Sequence, residues 1–381
     1  MGQGNTLIPW WRIQYTEQDA EAVSNAVRNE HISLGPLTAL FEEQLALKLS
    51  VPYVVATTSG TMALLMALIA AGVGYDDEVI IPNRTWIAAA HAVMMVGAKV
   101  VLVDVLPDVP CIDVAKIEEK ITSRTRAIIP TALNGRKIHL NQIKSLADQY
   151  HLTIIEDAAQ AFFSQEEGQF IGTQSALGCF SLSVAKIIPT GQGGFIATKE
   201  KHFYDELRKI RTHGVDNLLN CDYTRFGLNF RYTDLQASIG ITQLQKVEQK
   251  IASLRKIYHC YEEGLKHAAR VRLIPVDLST GELPLYVEVL CQDRDRLIRF
   301  LGERKIQTKA FYPNLNRAPY LRSDEIFPHA DLFEAEGLTL PSGPDQSLDN
   351  IAEVVQAIHS YENQARRSYV NGRHCRSVME L

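Results

Sequence analysis

The sequence has no long apolar run, no long basic run and no excess of positive charge. Its 381 residues carry a formal net charge of −5, so we expect neither nucleic acid nor an anionic membrane surface as a main partner. The longest apolar stretches, such as residues 62–74, are too short to span a bilayer. The first residues lack a basic segment followed by a hydrophobic core, so no secretory signal is expected.

Cysteine is also scarce, and no CxxC pair occurs among the six cysteines. Scattered cysteines predict free thiols in a reducing cytoplasm and argue against a disulfide framework or a zinc site. We therefore expect no metal centre. The six residues are Cys111, Cys179, Cys221, Cys260, Cys291 and Cys375.

No GxGxxG motif follows the first predicted strand, which argues against the usual dinucleotide-binding fold. Residues 53–157 instead alternate short apolar, β-branched runs with helical patterns, which predicts a mainly parallel sheet covered on both faces. Ligands of such sheets bind at the carboxyl ends of the strands. Three polar stretches fall at predicted strand ends, at residues 58–61, 83–86 and 157–160.

The pattern changes after about residue 214, where a long helical pattern leads into a smaller α+β region. The chain exceeds the usual size of one domain, so two domains are expected. We predict a large domain with the N-terminal segment over residues 1–240, a small C-terminal α+β domain over residues 241–364, and a disordered tail over residues 365–381.

One stretch, CFSLSVAKIIPTGQGGFIAT at residues 179–198, holds Lys186 and no other charge. In an apolar, glycine-rich setting desolvation disfavours the ammonium, so we expect the pKa of Lys186 to fall and its neutral amine to be available. A lysine that forms a Schiff base needs this property. The alternative is a loop lysine that extends its charged head to water.

Residues at the predicted strand ends would complement such a lysine. Asp157 would keep a pyridine nitrogen protonated, or would cap a helix. Gln160 would donate to a phenolate oxygen, and Trp86 would stack on a flat ring or pack in the core. Donors for a phosphate would come from Gly60, Thr61 and Ser181. Together these side chains fit pyridoxal 5'-phosphate (PLP), whose protonated ring is an electron sink.

The chain resembles the DegT/DnrJ/EryC1/StrS family of sugar aminotransferases from its N-terminal helix to about residue 240, with looser matches to residue 361. The order and spacing of several stretches carry the resemblance, among them SGTMALLMALIAAGVGYDDEVIIP, IIEDAAQA, GCFSLSVAK, TGQGGFIAT and FGLNFRYTDLQASIG. The resemblance implies an α/β fold, fold type I of the PLP-dependent transferases, which is the fold of aspartate aminotransferase. It also implies PLP as the cofactor.

The resemblance assigns a role to each candidate residue. Lys186 would bond covalently to PLP, Asp157 would pair with the pyridine nitrogen, and Trp86 would stack on the ring. Gln160 would contact the ring oxygen. The phosphate would be bound by Gly60, Thr61 and Ser181. Asn229 would reach that phosphate from the partner subunit of a homodimer, although the sequence alone is also compatible with a simple turn residue there.

Three departures from the family pattern concern the substrate pocket. The family usually has GEGG where this chain has Gln192 in GQGG. It often has His-Leu-Tyr-Gly where residues 132–135 read Ala-Leu-Asn-Gly, and it often carries a histidine shortly after the Tyr-Pro pair at residues 312–313. The spacing from Lys186 to GQGG resembles the perosamine synthase branch, which aminates C4 of a sugar nucleotide.

The resemblance implies that glutamate donates an amino group to a nucleotide-linked keto-deoxysugar, with C4 favoured over C3. The diphosphate would need cations, and Arg231 is the candidate for bidentate binding, with Arg84 and Lys309 also expected at the mouth of the site. A surface ion pair is the alternative for Arg231. Other functions left open are amination of an aminocyclitol precursor or another keto sugar, and a non-catalytic PLP-binding regulator. PLP-dependent sugar dehydration is disfavoured, because a histidine replaces the lysine in that branch.

Overall fold

The computed structural model describes residues 6–216 and 222–377, with side chains described as far as residue 364. The predicted alternation of strands and helices is present in its first half. The strands there are β1 Tyr53–Thr57, β2 Glu78–Pro82, β3 Lys99–Val103, β4 Thr125–Ile128, β5 Thr153–Asp157, β6 Gln165–Glu166, β7 Gln169–Phe170, β8 Leu177–Ser181 and β9 Gly194–Thr198. The helices are α1 Glu17–Arg28, α2 Pro36–Leu49, α3 Gly60–Ala70, α4 Ala88–Met95, α5 Leu140–Tyr150 and α6 Lys201–Arg211.

A seven-stranded sheet with the order β1-β9-β8-β5-β4-β2-β3 forms the centre of this half. Strand β9 runs antiparallel to both of its neighbours, and the pairs among β2, β3, β4, β5 and β8 are parallel. Alternate residues of β2 enter different cores, since Ile80 packs in one apolar cluster while Val79 and Ile81 pack in the other. The sheet is therefore buried on both faces, as its continuous apolar runs predict.

A second, antiparallel sheet of four strands, with the order β10-β11-β13-β12, lies in the C-terminal half. Its strands are β10 Val271–Leu273, β11 Val287–Cys291, β12 Lys309–Ala310 and β13 Gly337–Leu340. The helices of this half are α7 Asp234–Gln245, α8 Val247–Leu265, α9 Arg294–Gly302, α10 Pro328–Glu336 and α11 Leu348–Ser377. The mainly parallel sheet and the smaller α+β part predicted from the sequence are both confirmed.

The long helical pattern at the junction is two helices, because the backbone at Lys246 leaves the α region with ψ near 3°. Residue 240, the predicted domain boundary, falls inside α7. The N-terminal segment pairs with the C-terminal half, where Ile8 forms a bridge with Ile306 and Trp11 forms one with Ser342. The domain limits stay a prediction.

The last helix, α11, continues past residue 364, where the sequence analysis placed the start of a disordered tail. The segment from 365 to 377 contains no proline and a single glycine, so no residue there is a strong helix breaker. Residues 378–381 lie outside the described part of the chain. Across the described residues, no helix combines the length and the apolar character needed to cross a membrane.

Four of the six cysteines have described side chains, and all four are free thiols. They are Cys111, Cys179, Cys260 and Cys291. Cys221 lies outside the described residues, and Cys375 lies in the part of α11 whose side chains are not described.

Candidate active site

A cleft of about 460 Å³ opens where carboxyl ends of the parallel strands face β12 and the segment before β11. It brings together seven of the residues that the sequence singled out for catalysis or cofactor binding, namely Gly60, Thr61, Trp86, Asp157, Gln160, Ser181 and Lys186. Arg84, Lys309 and Gln192 also line it. Asn229 and Arg231 do not line the cleft formed by this chain.

The amino end of α3 forms one wall of the cleft. Ser59 caps the helix, and its hydroxyl accepts a hydrogen bond from the Met62 N–H at 3.2 Å. The first-turn amides that the helix itself cannot use, with the helix dipole, make this end suited to an anion. A Cβ on Gly60 would lie 2.9 Å from the Ser181 Cβ, so only glycine lets the helix end approach that serine. We expect this corner to bind a phosphate.

Gly194, the last residue of GQGG, allows the same close approach from the sheet side. A Cβ there would lie 2.5 Å from the Ser59 carbonyl carbon and 2.6 Å from the Gly60 nitrogen. Gly193 before it has φ +154°, and a Cβ on it would lie 2.8 Å from the Tyr232 ring. The glycines of this motif therefore let β9 pass directly behind the predicted phosphate corner.

Lys186 follows β8 on a non-helical segment, and its N–H donates to the Ser183 carbonyl at 3.0 Å. The side chain is half-buried and lines the cleft. Burial lowers the pKa of Lys186 to about 8; Asp157 opposes this shift and the Lys309 ammonium adds to it. The sequence alternative of a lysine that extends to bulk water is not what the structure shows. Its neutral amine is accessible near physiological pH.

Asp157 is the last residue of β5 and is 5% exposed. No helix begins at Ala158 in the described chain, so the alternative role as a helix N-cap is wrong; Asp157 Oδ1 instead accepts from the Ala159 N–H at 3.1 Å. Burial raises the pKa of Asp157, and the Ala159 bond and the Lys186 charge act against that rise. A cationic partner in the cleft would stabilise the carboxylate further.

Trp86 and Gln160 present an aromatic face and an amide to the cleft. Trp86 is 52% exposed, with its ring edge-on to Tyr312 at a centroid distance of 5.3 Å. Core packing, the alternative role for Trp86, is therefore wrong, and its face is free to stack on a ring. Gln160 Oε1 accepts from the Asn134 N–H at 3.0 Å, and the Gln160 side chain also hydrogen-bonds the Tyr312 hydroxyl.

Asn229, which is expected to act in the partner subunit, and Arg231, the candidate for binding the diphosphate, lie together on the surface of this chain. Asn229 is exposed, and its Oδ1 accepts from Arg231 Nε at 2.9 Å. Arg231 bridges to Thr57, the last residue of β1, and Asn229 bridges to Thr212. Both residues thus lie near the strand end that leads into α3 but outside this chain's cleft. Their proposed roles stay predictions.

The candidate cations Arg84 and Lys309 differ in their exposure. Arg84 is 1% exposed; its Nη1 donates to the Tyr312 carbonyl, and its guanidinium lies 4.4 Å from the Tyr312 ring centroid. It is therefore part of the wall, and its placement at the mouth was wrong. Lys309 is exposed, and its Nζ lies 4.8 Å from the Trp10 ring centroid.

The sequence analysis missed several residues that line the cleft. Glu288 in β11 is buried and pairs with Arg136 at 2.6 Å. The Tyr286 hydroxyl donates to the Ala185 carbonyl at 2.9 Å. Thr131, just beyond β4, could have been found from its place after a strand end. The sequence around Tyr286 and Glu288 gives no such signal, because those residues enter from the second sheet.

The residues present fit PLP in four respects. The glycine-lined helix end provides a phosphate corner, and Trp86 provides an exposed flat ring. Asp157 is a buried carboxylate in the cleft that lies close enough to influence the pKa of Lys186. Lys186 itself has the lowered pKa that a Schiff-base lysine needs.

Comparisons with known proteins agree with a cleft that binds PLP. The model of the DegT/DnrJ/EryC1/StrS aminotransferase family matches residues 14–359. A GDP-perosamine synthase of Escherichia coli O157:H7 is 30% identical over 93% of this chain and 98% of that protein. The UDP-2-acetamido-2-deoxy-3-oxo-D-glucuronate aminotransferase of Pseudomonas aeruginosa is 31% identical over 88% of this chain and 94% of that protein. The crystal structure of S. venezuelae DesV matches with a TM-score of 0.87 and 29% identity, over 90% of this chain and 94% of that one.

Proposed function

Because this chain belongs to the DegT/DnrJ/EryC1/StrS aminotransferase family, we propose that it moves an amino group from glutamate to a nucleotide-linked keto-deoxysugar. The chain is a PLP-dependent aminotransferase of fold type I, as its sequence predicts. The observation that carries the proposal is one cleft that brings Lys186 and the buried carboxylate of Asp157 together with the glycine-lined end of α3.

When bound, PLP supplies an aldehyde that takes up the amino group and a ring that accepts electrons. Lys186 would hold the cofactor covalently and would move a proton as general base and general acid. Asp157 would hold a proton at the pyridine nitrogen through charge pairing. Trp86 would offer its face to the ring, and Gln160 would contact the ring oxygen. The phosphate would be bound by Gly60, Thr61 and Ser181.

The nucleotide-sugar substrate is supported by two features. The Escherichia coli and Pseudomonas aeruginosa relatives carry names of enzymes for GDP- and UDP-linked sugars, and Lys309 offers an exposed cation beside an aromatic ring at the cleft. The C4 position is supported by the spacing from Lys186 to GQGG. The Pseudomonas aeruginosa relative is named for a 3-oxo sugar, so amination at C3 is the second candidate.

A screen of nucleotide-linked 3-keto and 4-keto sugars with glutamate tests the function directly. We expect the holoenzyme to aminate a 4-keto-6-deoxy sugar nucleotide and to convert glutamate to 2-oxoglutarate in equal amount. Amination of free keto acids or cyclitols alone would contradict the proposal. Dehydration of the sugar with no amino product would support the alternative dehydratase function.

Replacing Arg231 by alanine is expected to raise KM for the sugar nucleotide about 10-fold, because an arginine–diphosphate contact is a charge-assisted, bidentate one. The glutamate half-reaction should keep its rate, since no diphosphate takes part in it. Stopped-flow absorbance measures the two half-reactions separately. A defect confined to the glutamate half-reaction would instead assign Arg231 to the amino donor.

We further propose a homodimer in which Asn229 completes the phosphate corner of the partner subunit. The exposed position of Asn229 outside its own cleft supports this arrangement. Mixing Lys186→Ala with Asn229→Ala subunits should restore part of the wild-type activity, because one site of each hybrid carries neither change. If Asn229 served its own chain, every hybrid site would carry one change and no activity would return. The free thiols support a cytoplasmic location, which is also part of the proposal.

A further inference from the structure

Both backbone carbonyls that flank Lys186 accept hydrogen bonds from side chains. The Tyr286 hydroxyl donates to the Ala185 carbonyl at 2.9 Å, and the Lys250 ammonium donates to the Ile187 carbonyl at 2.9 Å. Lys186 lies between β8 and β9, outside any regular helix or strand. Without a ladder of backbone bonds, a segment depends on such contacts to keep one conformation.

Lys250 is an unusual donor for this purpose. It is 6% exposed, and the acceptors that the structure gives its ammonium among the described residues are neutral oxygens. Its ammonium also donates to Gln243 Oε1, and Gln243 Nε2 donates to Asp19 Oδ1 at 2.9 Å. Burial lowers the pKa of Lys250 to about 8, with Asp345 and Asp19 opposing the shift and Lys246 adding to it. Burying an ammonium costs free energy, which its hydrogen bonds must offset. These bonds therefore fix the position of the Lys250 ammonium.

The helix that carries Lys250 supports the Lys186 segment at a second point. Leu254 lies four residues after Lys250 and therefore on the same face of α8. Together with Lys186 and Ile187 it lines a small cavity of about 10 Å³ beneath the main cleft. The Lys186 segment thus lies directly on α8.

Tyr286 is itself held in place by Asn134 and Trp11. Its N–H donates to Asn134 Oδ1 at 2.6 Å, and Asn134 Nδ2 donates to the Tyr286 carbonyl at 3.0 Å. Its ring packs edge-on against Trp11 at a centroid distance of 5.3 Å. The Asn134 N–H also donates to Gln160. One of the residues that departs from the family pattern therefore ties the predicted cofactor contact Gln160 to the tyrosine that holds Ala185.

We propose that Tyr286 and Lys250 form a clamp, the Lys186 clamp, that positions the Lys186 amine for proton transfer. The inference rests on the proposed role of Lys186. Both are positioning residues, because each acts on the backbone next to Lys186 and not on a substrate. Proton transfer requires close and aligned atoms, so a small displacement of the Lys186 backbone slows it while leaving the binding of glutamate intact.

The chain offers matched controls for both substitutions. Tyr286→Phe removes one partly buried hydroxyl-to-carbonyl bond. Tyr261→Phe removes a bond of the same kind, from Tyr261 to the Pro341 carbonyl at 2.8 Å, in the C-terminal half. Lys250→Met removes the buried ammonium, and Lys256→Met removes an exposed one from the same helix.

The test uses single-turnover kinetics of the PLP-loaded enzyme with glutamate and with α-deuterated glutamate. Each clamp variant should lower the maximal rate about 3–10-fold, because each removes one hydrogen bond to the backbone beside Lys186. The concentration of glutamate that gives half the maximal rate should stay the same, and the deuterium isotope effect should rise. The double variant should lose less than the product of the single losses, because both bonds hold the same segment.

A second readout does not depend on activity. The visible absorbance of the bound cofactor, titrated with pH, reports how Lys186 is held against the cofactor. The midpoint of this titration should move in the clamp variants and should stay unchanged in the controls. If Tyr286→Phe and Lys250→Met match their controls in rate, isotope effect and midpoint, the clamp proposal is overturned. Should Lys250→Met fail to fold, Tyr286→Phe decides alone. Finding the cofactor on another lysine would overturn the role of Lys186 as well, whereas unchanged rates with the cofactor on Lys186 overturn the clamp only.

Discussion

Replacing Lys186 by alanine is expected to lower kcat by at least about 10³-fold, because the substitution removes both the covalent attachment of PLP and the group that moves the proton. The phosphate corner at Gly60 and Ser181 and the stacking surface of Trp86 remain. The variant should therefore still bind PLP without a covalent bond. Both half-reactions, followed by absorbance, should be lost together.

Borohydride reduction of the wild-type protein identifies the attached lysine. Reduction should fix the cofactor on the peptide that contains Lys186. Lys309 is the matched control, because it lines the same cleft but is exposed. Lys309→Ala should keep the covalent attachment. Peptide mapping that places the cofactor on Lys309 would show the assignment of Lys186 to be wrong.

The lowered pKa of Lys186 makes the uptake of PLP by the apoprotein depend on pH. The neutral amine is the reactive form, and its population rises as the pH passes about 8. Uptake should therefore be slow at pH 6 and should accelerate through pH 8. Because the Lys309 charge helps to lower this pKa, Lys309→Met should move the midpoint upward. An uptake rate that stays constant between pH 6 and pH 9 would contradict the lowered pKa of Lys186.

The sequence predicted which residues share the cleft because these residues follow strand ends, and parallel strands end at one edge of a sheet. Asp157, for example, is the last residue of β5, and Lys186 follows β8. Tyr286 and Glu288 could not be found in this way, since the packing of the second sheet against the first brings them in. Asn134 adopts a left-handed backbone conformation, with φ 56°, and no local sequence pattern predicts this conformation. The surface position of Asn229 likewise depends on how the chain folds beyond its own motif.

Replacing Asp157 by asparagine is expected to lower kcat roughly 10²–10³-fold, the usual cost of removing one preorganised electrostatic group. The amide has the shape of the carboxylate and can still accept from the Ala159 N–H, but it cannot hold a proton at the pyridine nitrogen by charge pairing. Burial raises the pKa of Asp157, so asparagine removes an unfavourable buried charge. The free energy of unfolding of the apoprotein, measured with urea, should therefore change little or rise.

Glu156 gives the matched control, because it is the preceding residue of the same strand and points to the opposite face. It is fully buried, and its carboxylate accepts from the Gly172 N–H at 2.6 Å, the Gln174 N–H at 2.9 Å and the Ser175 N–H at 2.8 Å. Burial raises the pKa of Glu156 as well, but its carboxylate accepts three N–H bonds where Asp157 accepts one. Glu156→Gln puts an amide nitrogen against some of these donors, and this loss should lower the free energy of unfolding by about 1–3 kcal/mol. Its kcat at low temperature should stay near that of the wild type. If Glu156→Gln lost activity and Asp157→Asn lost only stability, the two carboxylates would have exchanged roles, and Asp157 could not be the group that pairs with the cofactor.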